Sequence, residues 1–419
     1  MTRVTTDLKL TRINLKIFIP LIFISVGLLG AFNHALWRDE MQGWMVAWRS
    51  DGWLDLWKNN APSGHPILWS ALVYTFKDLT KSPLSMQLLQ WFLGSAAIVC
   101  FWRWNPLPIW QKTLFTFGYF PFWEYFLICR HYVLAELLTF VFCSTYSLRR
   151  KSYLPSAICI GLLTNTHAFA WAIAFAIGVA LISEWIFSPY QRIAYKRNKF
   201  WSLDLLASIF IAFTLVAFAA FSLIQVKDSA SINFLDYDPR HFLRVFGRIF
   251  GGFFLIVPNY RRWIDLFICA LIGGFTLLIT INFLRKSRMA ITFFLSGILA
   301  LFFFNYFIYL GIGSRHYGYY FLLFIAAVWL AIHPSENSEL EILKMTSIKK
   351  KSFENLFPYL LTLSLSVHFA AGLHRTTTDF FIPYSAGKAT ANYIKNQGLQ
   401  DLDIFATRDV EVSTVSGYL

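Results

Sequence analysis

The sequence predicts an all-α polytopic membrane protein. About eleven transmembrane helices carry amphipathic helices in their extracytoplasmic loops and end in a short α/β-like C-terminal tail. Three observations predict this. Hydrophobic residues fill 57% of the 419 positions and charged ones only 14%, against about 25% charged in a soluble domain. Apolar runs near the roughly 20 residues needed to cross a hydrocarbon core recur along the chain. The 37 Lys and Arg outnumber the 23 Asp and Glu for a net charge of +14, yet they fall in short blocks between those runs. That distribution reports membrane orientation and argues against nucleic acid as a partner. Cys100, Cys129, Cys143, Cys159 and Cys269 lie in or at the ends of apolar segments without a CxxC pair. They read as packing residues, not as zinc ligands or a disulfide framework.

The candidate spans are 17–36, 84–102, 108–127, 131–148, 153–167, 168–187, 202–225, 263–284, 290–310, 317–333 and 357–373. The first is too long for a signal-peptide core and reads as a retained span. With Arg3, Lys9, Arg12 and Lys16 in the cytoplasm, the basic turns at 103–112, 149–151, 192–199, 285–288 and 344–351 all fall on the same side. The positive-inside rule requires this. An odd number of spans then puts the C-terminus outside a plasma (inner) membrane. Residues 66–78 are too short to cross and read as a helix lying in the outer interface, with Pro66 at its first turn. Asn165-Thr166-His167 must form a tight outer turn. The chain divides into a membrane domain, 1–373, and an outer tail, 374–419. In the tail 386–396 looks helical and 403–407 looks like a strand, either the opening of a small α/β domain or a segment packed on the loops.

The first outer loop, 37–83, opens with Trp37-Arg38-Asp39-Glu40, and six tryptophans lie between Trp37 and Trp69. Met41, Trp44, Met45 and Trp48 follow i, i+3, i+4, i+7 spacing, one face of an amphipathic helix suited to an interface. Asp39 suits an N-cap completed by Gln42, and it equally suits catalysis, because a helix start fixes a carboxylate in place. His65 follows Gly64 and precedes Pro66. The middle outer loop, 226–262, holds Tyr237-Asp238-Pro239-Arg240 and an amphipathic stretch from 241 to 254.

Other polar residues gather at outer span ends: Glu124, Arg130-His131-Tyr132, His167, Arg261-Arg262 and Arg315-His316. Charge at membrane depth is costly and is usually paired or functional, so a Glu124–Arg130 ion pair is one reading. Outward arginines break the cytoplasmic bias. A planar guanidinium there either snorkels to headgroups or binds a phosphate bidentately. There is no Walker A run, dinucleotide fingerprint or HExxH motif. Outside the membrane no nucleotide pool exists, so an activated donor must arrive through the lipid.

Arg38-Asp39-Glu40-Met41-Gln42 and Gly64-His65-Pro66-Ile67-Leu68-Trp69 together resemble the first loop of a bacterial branch of the GT-C membrane glycosyltransferases. These are relatives of the protein O-mannosyltransferases and the lipid A aminoarabinose transferases. Glu124-Tyr125, Arg130 with Tyr132, Asn165-Thr166-His167 and Arg315-His316 are similar to that branch as well, over roughly residues 15–330. The resemblance implies transfer of a sugar, with inversion, from a polyprenyl-phosphate donor to an outer hydroxyl on a glycan, lipid or protein. Asp39 would be the base and Glu40 its helper or orienter. His65, Glu124, Arg130, Tyr132, His167, Arg261, Arg315 and His316 would bind substrate, with the arginines stabilising the departing phosphate. The lipid tail would lie between Phe-rich spans. Ser63 stands where the pattern carries a Glu, which leaves a divalent cation without its second loop carboxylate. Two other readings stand beside this one. A transporter or flippase for lipid-linked sugars expects inverted repeats and midplane breaks, which the sequence does not display. A catalytically inactive scaffold of the same fold is compatible with Ser63.

Overall fold

The computed structural model describes residues 2–224, 238–256, 259, 261–308, 313–333, 354–405 and 409–419. Among these it is all helical, without a strand. In chain order the α-helices are α1 (Thr2–Asn33), α2 (Arg38–Trp48), α3 (Trp53–Asn60), α4 (Leu68–Phe76), α5 (Leu84–Trp104), α6 (Ile109–Thr116), α7 (Tyr132–Thr145), α8 (Leu154–Thr164) and α9 (Ala170–Phe187). They continue with α10 (Pro189–Lys196), α11 (Trp201–Ile224), α12 (Pro239–Phe254), α13 (Trp263–Leu284), α14 (Arg288–Phe303), α15 (Ser314–Ile332), α16 (Phe357–Phe381), α17 (Gly387–Asn396) and α18 (Asp409–Ser416). Two π-helical stretches, Tyr119–Leu127 and Phe304–Ile308, interrupt this pattern.

Among the described residues seven helices are long and apolar enough to cross a membrane: Asn14–Asn33, Leu84–Trp104, Ala170–Phe187, Trp201–Leu223, Trp263–Leu284, Arg288–Ile308 and Arg315–Ile332. Their surroundings differ. α15 is apolar all round because it is the central helix, with Tyr319 to Leu330 buried throughout. α11 turns Phe210 and Phe213 outward, 69% and 72% exposed, as a lipid-facing helix does. α9 packs on α14, α8 on α11, α5 on α1 and α7, and α12 on α13 and α15.

The remaining predicted spans take other forms. Segment 108–127 is split at Gly118 into the eight-residue α6 and the π-helical stretch. The 14-residue α7 ends in a 3-10 turn and α8 has 11 residues. α16 is long enough, but Ser, Thr and His residues punctuate it. It packs its backbone onto the Gly118 break, where a Cβ on Gly372 would collide with the Phe117 carbonyl. Close approach of this kind requires a glycine.

The short helix expected at 66–78 is α4, nine residues starting at Leu68, so Pro66 precedes the helix instead of opening it. The turn expected at 165–167 joins α8 to α9. The strand expected at 403–407 does not form over 403–405, and 406–407 lie outside the described residues. Tail helices α17 and α18 instead pack on each other, and α18 packs on α2. Leu36 N–H donates to the Tyr418 hydroxyl at 2.8 Å, and Gly417 sits against Met41. The amphipathic stretch at 241–254 forms most of α12. Asp238 caps it, accepting from Arg240 N at 2.9 Å, and it buries Val245, Ile249 and Phe253.

At the opposite end from the first loop, Arg149 is buried against Glu184, with Nε 2.8 Å from Oε2 and Nη2 2.8 Å from Oε1. Removing one member leaves the other charge buried and unopposed. Arg149→Ala is therefore expected to destabilise by about 3–5 kcal/mol, read as a large fall in melting temperature in detergent. Arg149→Met with Glu184→Leu, which removes both charges, should recover most of that loss.

Candidate functional site

The site is built on a buried carboxylate that holds the first loop in place. α1 ends at Asn33, and His34 follows it with no exposed surface. Its Nδ1 lies 2.7 Å from Asp379 on α16, and its Nε2 lies 3.1 Å from Glu40 Oε2. Glu40 accepts the Trp37 N–H at 3.0 Å and the Cys129 N–H at 2.5 Å. Trp37 is thus the N-cap and Glu40, at the third position, reaches back to it as in half of a capping box. This corrects the expected Asp39–Gln42 cap. Asp39 is instead the second residue of α2 and free to face elsewhere. Burial alone would lower the pKa of His34. Glu40 and Asp379 outweigh it and raise the imidazole to about 10.

Asp39 is the centre of three guanidinium contacts. Arg130 Nη1 lies 3.0 Å and Arg315 Nη2 2.8 Å from its Oδ2, and Arg38 Nε donates to Oδ1 at 2.9 Å. Arg130 approaches from the bend before α7 and Arg315 from the first turn of α15. Partial burial works against the anion, but Arg130, Arg38 and Arg315 together hold the Asp39 carboxyl below its usual value. Arg315 is fixed in turn: its guanidinium lies 5.5 Å from the Trp37 ring centroid, and its carbonyl accepts the Tyr125 hydroxyl at 2.8 Å.

Two cavities flank this knot. A small one, about 30 Å³, is lined by Asp39, Gln42, Ser63, His65, Arg130 and His131. A larger one, about 330 Å³, is lined by Trp37, Trp123, Glu124, Arg315, Arg375 and Tyr384, a size in the range of small-molecule sites. Glu124 lies on the π-helical stretch, a geometry often found at functional positions, and accepts the Tyr119 hydroxyl at 2.8 Å. The Glu124–Arg130 pair that the sequence allows does not form among the described residues, because Arg130 goes to Asp39 and Glu124 to Tyr119.

His65 and His131 line the small cavity, and His167 and His316 lie behind them. The ring centroids of His65, His131 and His167 are 4.7, 5.1 and 4.4 Å apart. His316 stacks on Phe169 at 4.6 Å, and Tyr132 OH lies 3.3 Å from His316 Nε2. Burial first, then Arg130 and Arg315, drive His65 down to about 3, so it is neutral at physiological pH. The chain does not fit a cation bridged by two loop carboxylates. Ser63 Oγ is engaged with Asn60 Oδ1 and with His65 N–H, and both Asp39 oxygens face guanidiniums.

Asp39, His65, Glu124, Arg130, Tyr132, His167, Arg315 and His316 therefore converge in one region, with Glu40 beneath it as an anchor. Arg261 does not join them. It occupies an exposed turn and donates its N–H to Asn259 Oδ1 at 3.0 Å. His34, Asp379, Arg375 and Tyr384 were not singled out from the sequence. Arg375, another arginine at the end of an apolar segment, carried the same signal as Arg315. No family model, curated protein or solved structure matches this chain.

The His34 network makes stability depend on pH. The folded-state value is raised above the unfolded 6.5 to about 10. Its contribution is therefore complete below about 6.5 and is lost as pH rises toward 10. His34→Gln should lower the melting temperature clearly at pH 6, with the deficit narrowing by pH 10. A deficit that stays constant across that range would contradict a charged His34.

Proposed function

We propose that this chain is an integral-membrane glycosyltransferase that moves a sugar from a polyprenyl-phosphate donor to an extracytoplasmic hydroxyl, with inversion. Eleven crossings, a cytoplasmic N-terminus and an extracytoplasmic tail in the plasma membrane complete the reading. The observation that carries it is Asp39 gripped by Arg130 and Arg315 between two cavities. A buried guanidinium and a partly buried one sharing one carboxylate oxygen make an anion site, and a phosphate is their bidentate ligand of choice. A groove of about 560 Å³ lined by Trp171, Phe175, Leu299, Phe303 and Phe307 begins beside His167 and supports an isoprenoid tail. The larger cavity offers Trp37, Trp123 and Tyr384 faces with a Glu124 carboxylate, a combination suited to a sugar ring.

The chemistry follows from the charges. When the donor enters, its phosphate takes over Arg130 and Arg315 from Asp39 Oδ2. Among the described residues Asp39 Oδ1 is held by Arg38 alone, whose side chain is 54% exposed and easily displaced. The acceptor oxygen attacks the anomeric carbon while its proton passes to Asp39. The bond from that carbon to the phosphate oxygen breaks, and the electron pair leaves with a phosphate that the arginines stabilise. Oxocarbenium character at the transition state benefits from the nearby carboxylates. Glu40 is a positioning residue. A transporter would need its polar groups at a midplane break; here they gather around the first loop and the helix ends that meet it.

The direct experiment is release of sugar from a labelled polyprenyl-phosphate donor by the purified chain in proteoliposomes. No release across a panel of hexosyl and pentosyl donors, supplied with glycan, lipid and protein acceptors, would overturn the reading. Arg315→Ala is expected to raise the donor KM about tenfold or more, whereas an unchanged KM would remove Arg315 from the phosphate site. Asp39 must be ionised to take a proton, and against the cost of partial burial the neighbouring Arg130, Arg38 and Arg315 hold its carboxyl below the usual value. The acid limb of kcat/KM should therefore lie below the ordinary carboxylate range. Arg130→Gln should move that limb upward.

A further inference from the structure

We propose that His65, His131 and His167 form a binding site for one zinc-class divalent cation, with its open coordination position facing the small cavity beside Asp39. The three side chains come from separate elements: the loop before α4, the bend before α7 and the α8–α9 turn. Each offers one ligand atom, and these atoms all lie within 4.8 Å of one another. His131 and His167 are 2% and 4% exposed. His131 Nε2 and His65 Nδ1 are buried without a hydrogen-bond partner among the described residues. Buried ring nitrogens are rarely left so, and two in one cluster point to a ligand.

The donor set selects the cation. Three imidazoles and no carboxylate favour a borderline-soft ion such as Zn²⁺, Co²⁺ or Ni²⁺ over Mg²⁺ or Ca²⁺, which take oxygen. Three protein ligands with an open fourth position is the arrangement of reactive zinc sites, not of closed structural ones. His65 and His131 also line the cavity of about 30 Å³, which would give the open position room for one water or one oxygen of an anion. The set contains no loop carboxylate and so does not depend on a Glu at position 63. Asp39, which lines the same cavity, offsets the charge of the neighbouring Arg130.

Loading requires two adjustments. Zn–N bonds of about 2.1 Å place tetrahedral ligands roughly 3.4 Å apart, so the rings must draw together by about an ångström. His65 is the arm placed to move, because it is the least buried of the three and follows Gly64, whose φ is +68°. His167 Nδ1 accepts the Phe169 N–H at 3.2 Å. Coordination through the other ring nitrogen shifts the proton to Nδ1 and gives up that one contact.

The inference does not rest on sugar transfer, and its test reads metal alone. The untagged full-length chain in detergent is stripped with EDTA, equilibrated with ZnCl₂ and analysed by plasma mass spectrometry. One zinc ion per chain is expected, displaced by Co²⁺ with the visible absorption of four-coordinate cobalt and not displaced by Mg²⁺. His131→Ala and His65→Ala should each lose it, while His374→Ala, at an exposed position on α16, should retain it. If His131→Ala fails to fold, the loop variant His65→Ala carries the test. Wild type with under a tenth of an equivalent, or undiminished zinc in His65→Ala, would overturn the proposal.

Discussion

Everything around the first loop depends on Glu40. A fully buried carboxylate is tolerated only when its oxygens are satisfied. Here they are satisfied by His34 at the end of α1, the Trp37 N–H at the start of α2 and the Cys129 N–H before α7. One side chain thereby welds three chain segments, and Asp379 extends the weld to α16 through the other nitrogen of His34. Because Glu40 takes the capping duty, Asp39 is released from it. The adjacent carboxylates, equivalent by composition, are divided by geometry into one that holds and one that is presented.

The presented carboxylate sits in an excess of positive charge. Arg38, Arg130 and Arg315 surround it, and the nearby histidines are neutral or buried, so an incoming anion finds guanidiniums already oriented. Preorganised charge of this kind costs no rearrangement at the moment of reaction. In the proposed mechanism Asp39 would then have two states: an internal counter-ion before a phosphate arrives and a released base afterwards. The arrangement of cavities fits this exchange, with the small one and its histidines on one side of the knot and the aromatic one with Glu124 on the other.

Much of this was legible in the sequence where the signal is local. The spacing of Met41, Trp44 and Met45 marks α2, the brevity of 66–78 marks α4, and Asn165-Thr166-His167 marks a turn. Arg130 and Arg315, both singled out by their place at the ends of apolar segments, meet at Asp39. What escaped is what packing decides. The His34–Asp379 contact joins positions 345 residues apart, and nothing in a linear pattern announces it. The break at Gly118 is set by α16 pressing on it at Gly372, and hydropathy alone reads through it as a continuous span. Residues 403–405 have strand-like composition but no strand to pair with among the described residues, and the tail covers α2 with helices instead. Arg261 shares the outward signal of Arg315 and still lies apart, because the signal says which face a residue occupies and not which neighbours it meets.

The account turns on the division of labour between the two adjacent acids. It is tested most directly by measuring melting temperature and transfer from a labelled polyprenyl-phosphate sugar, side by side, for Asp39→Asn and Glu40→Gln. Asp39→Asn should keep a monodisperse fold that melts within a few degrees of wild type and yet transfer no sugar. Glu40→Gln should melt well below wild type and retain measurable transfer where it remains folded. Full transfer by Asp39→Asn, or a Glu40→Gln chain as stable as wild type, would contradict the account.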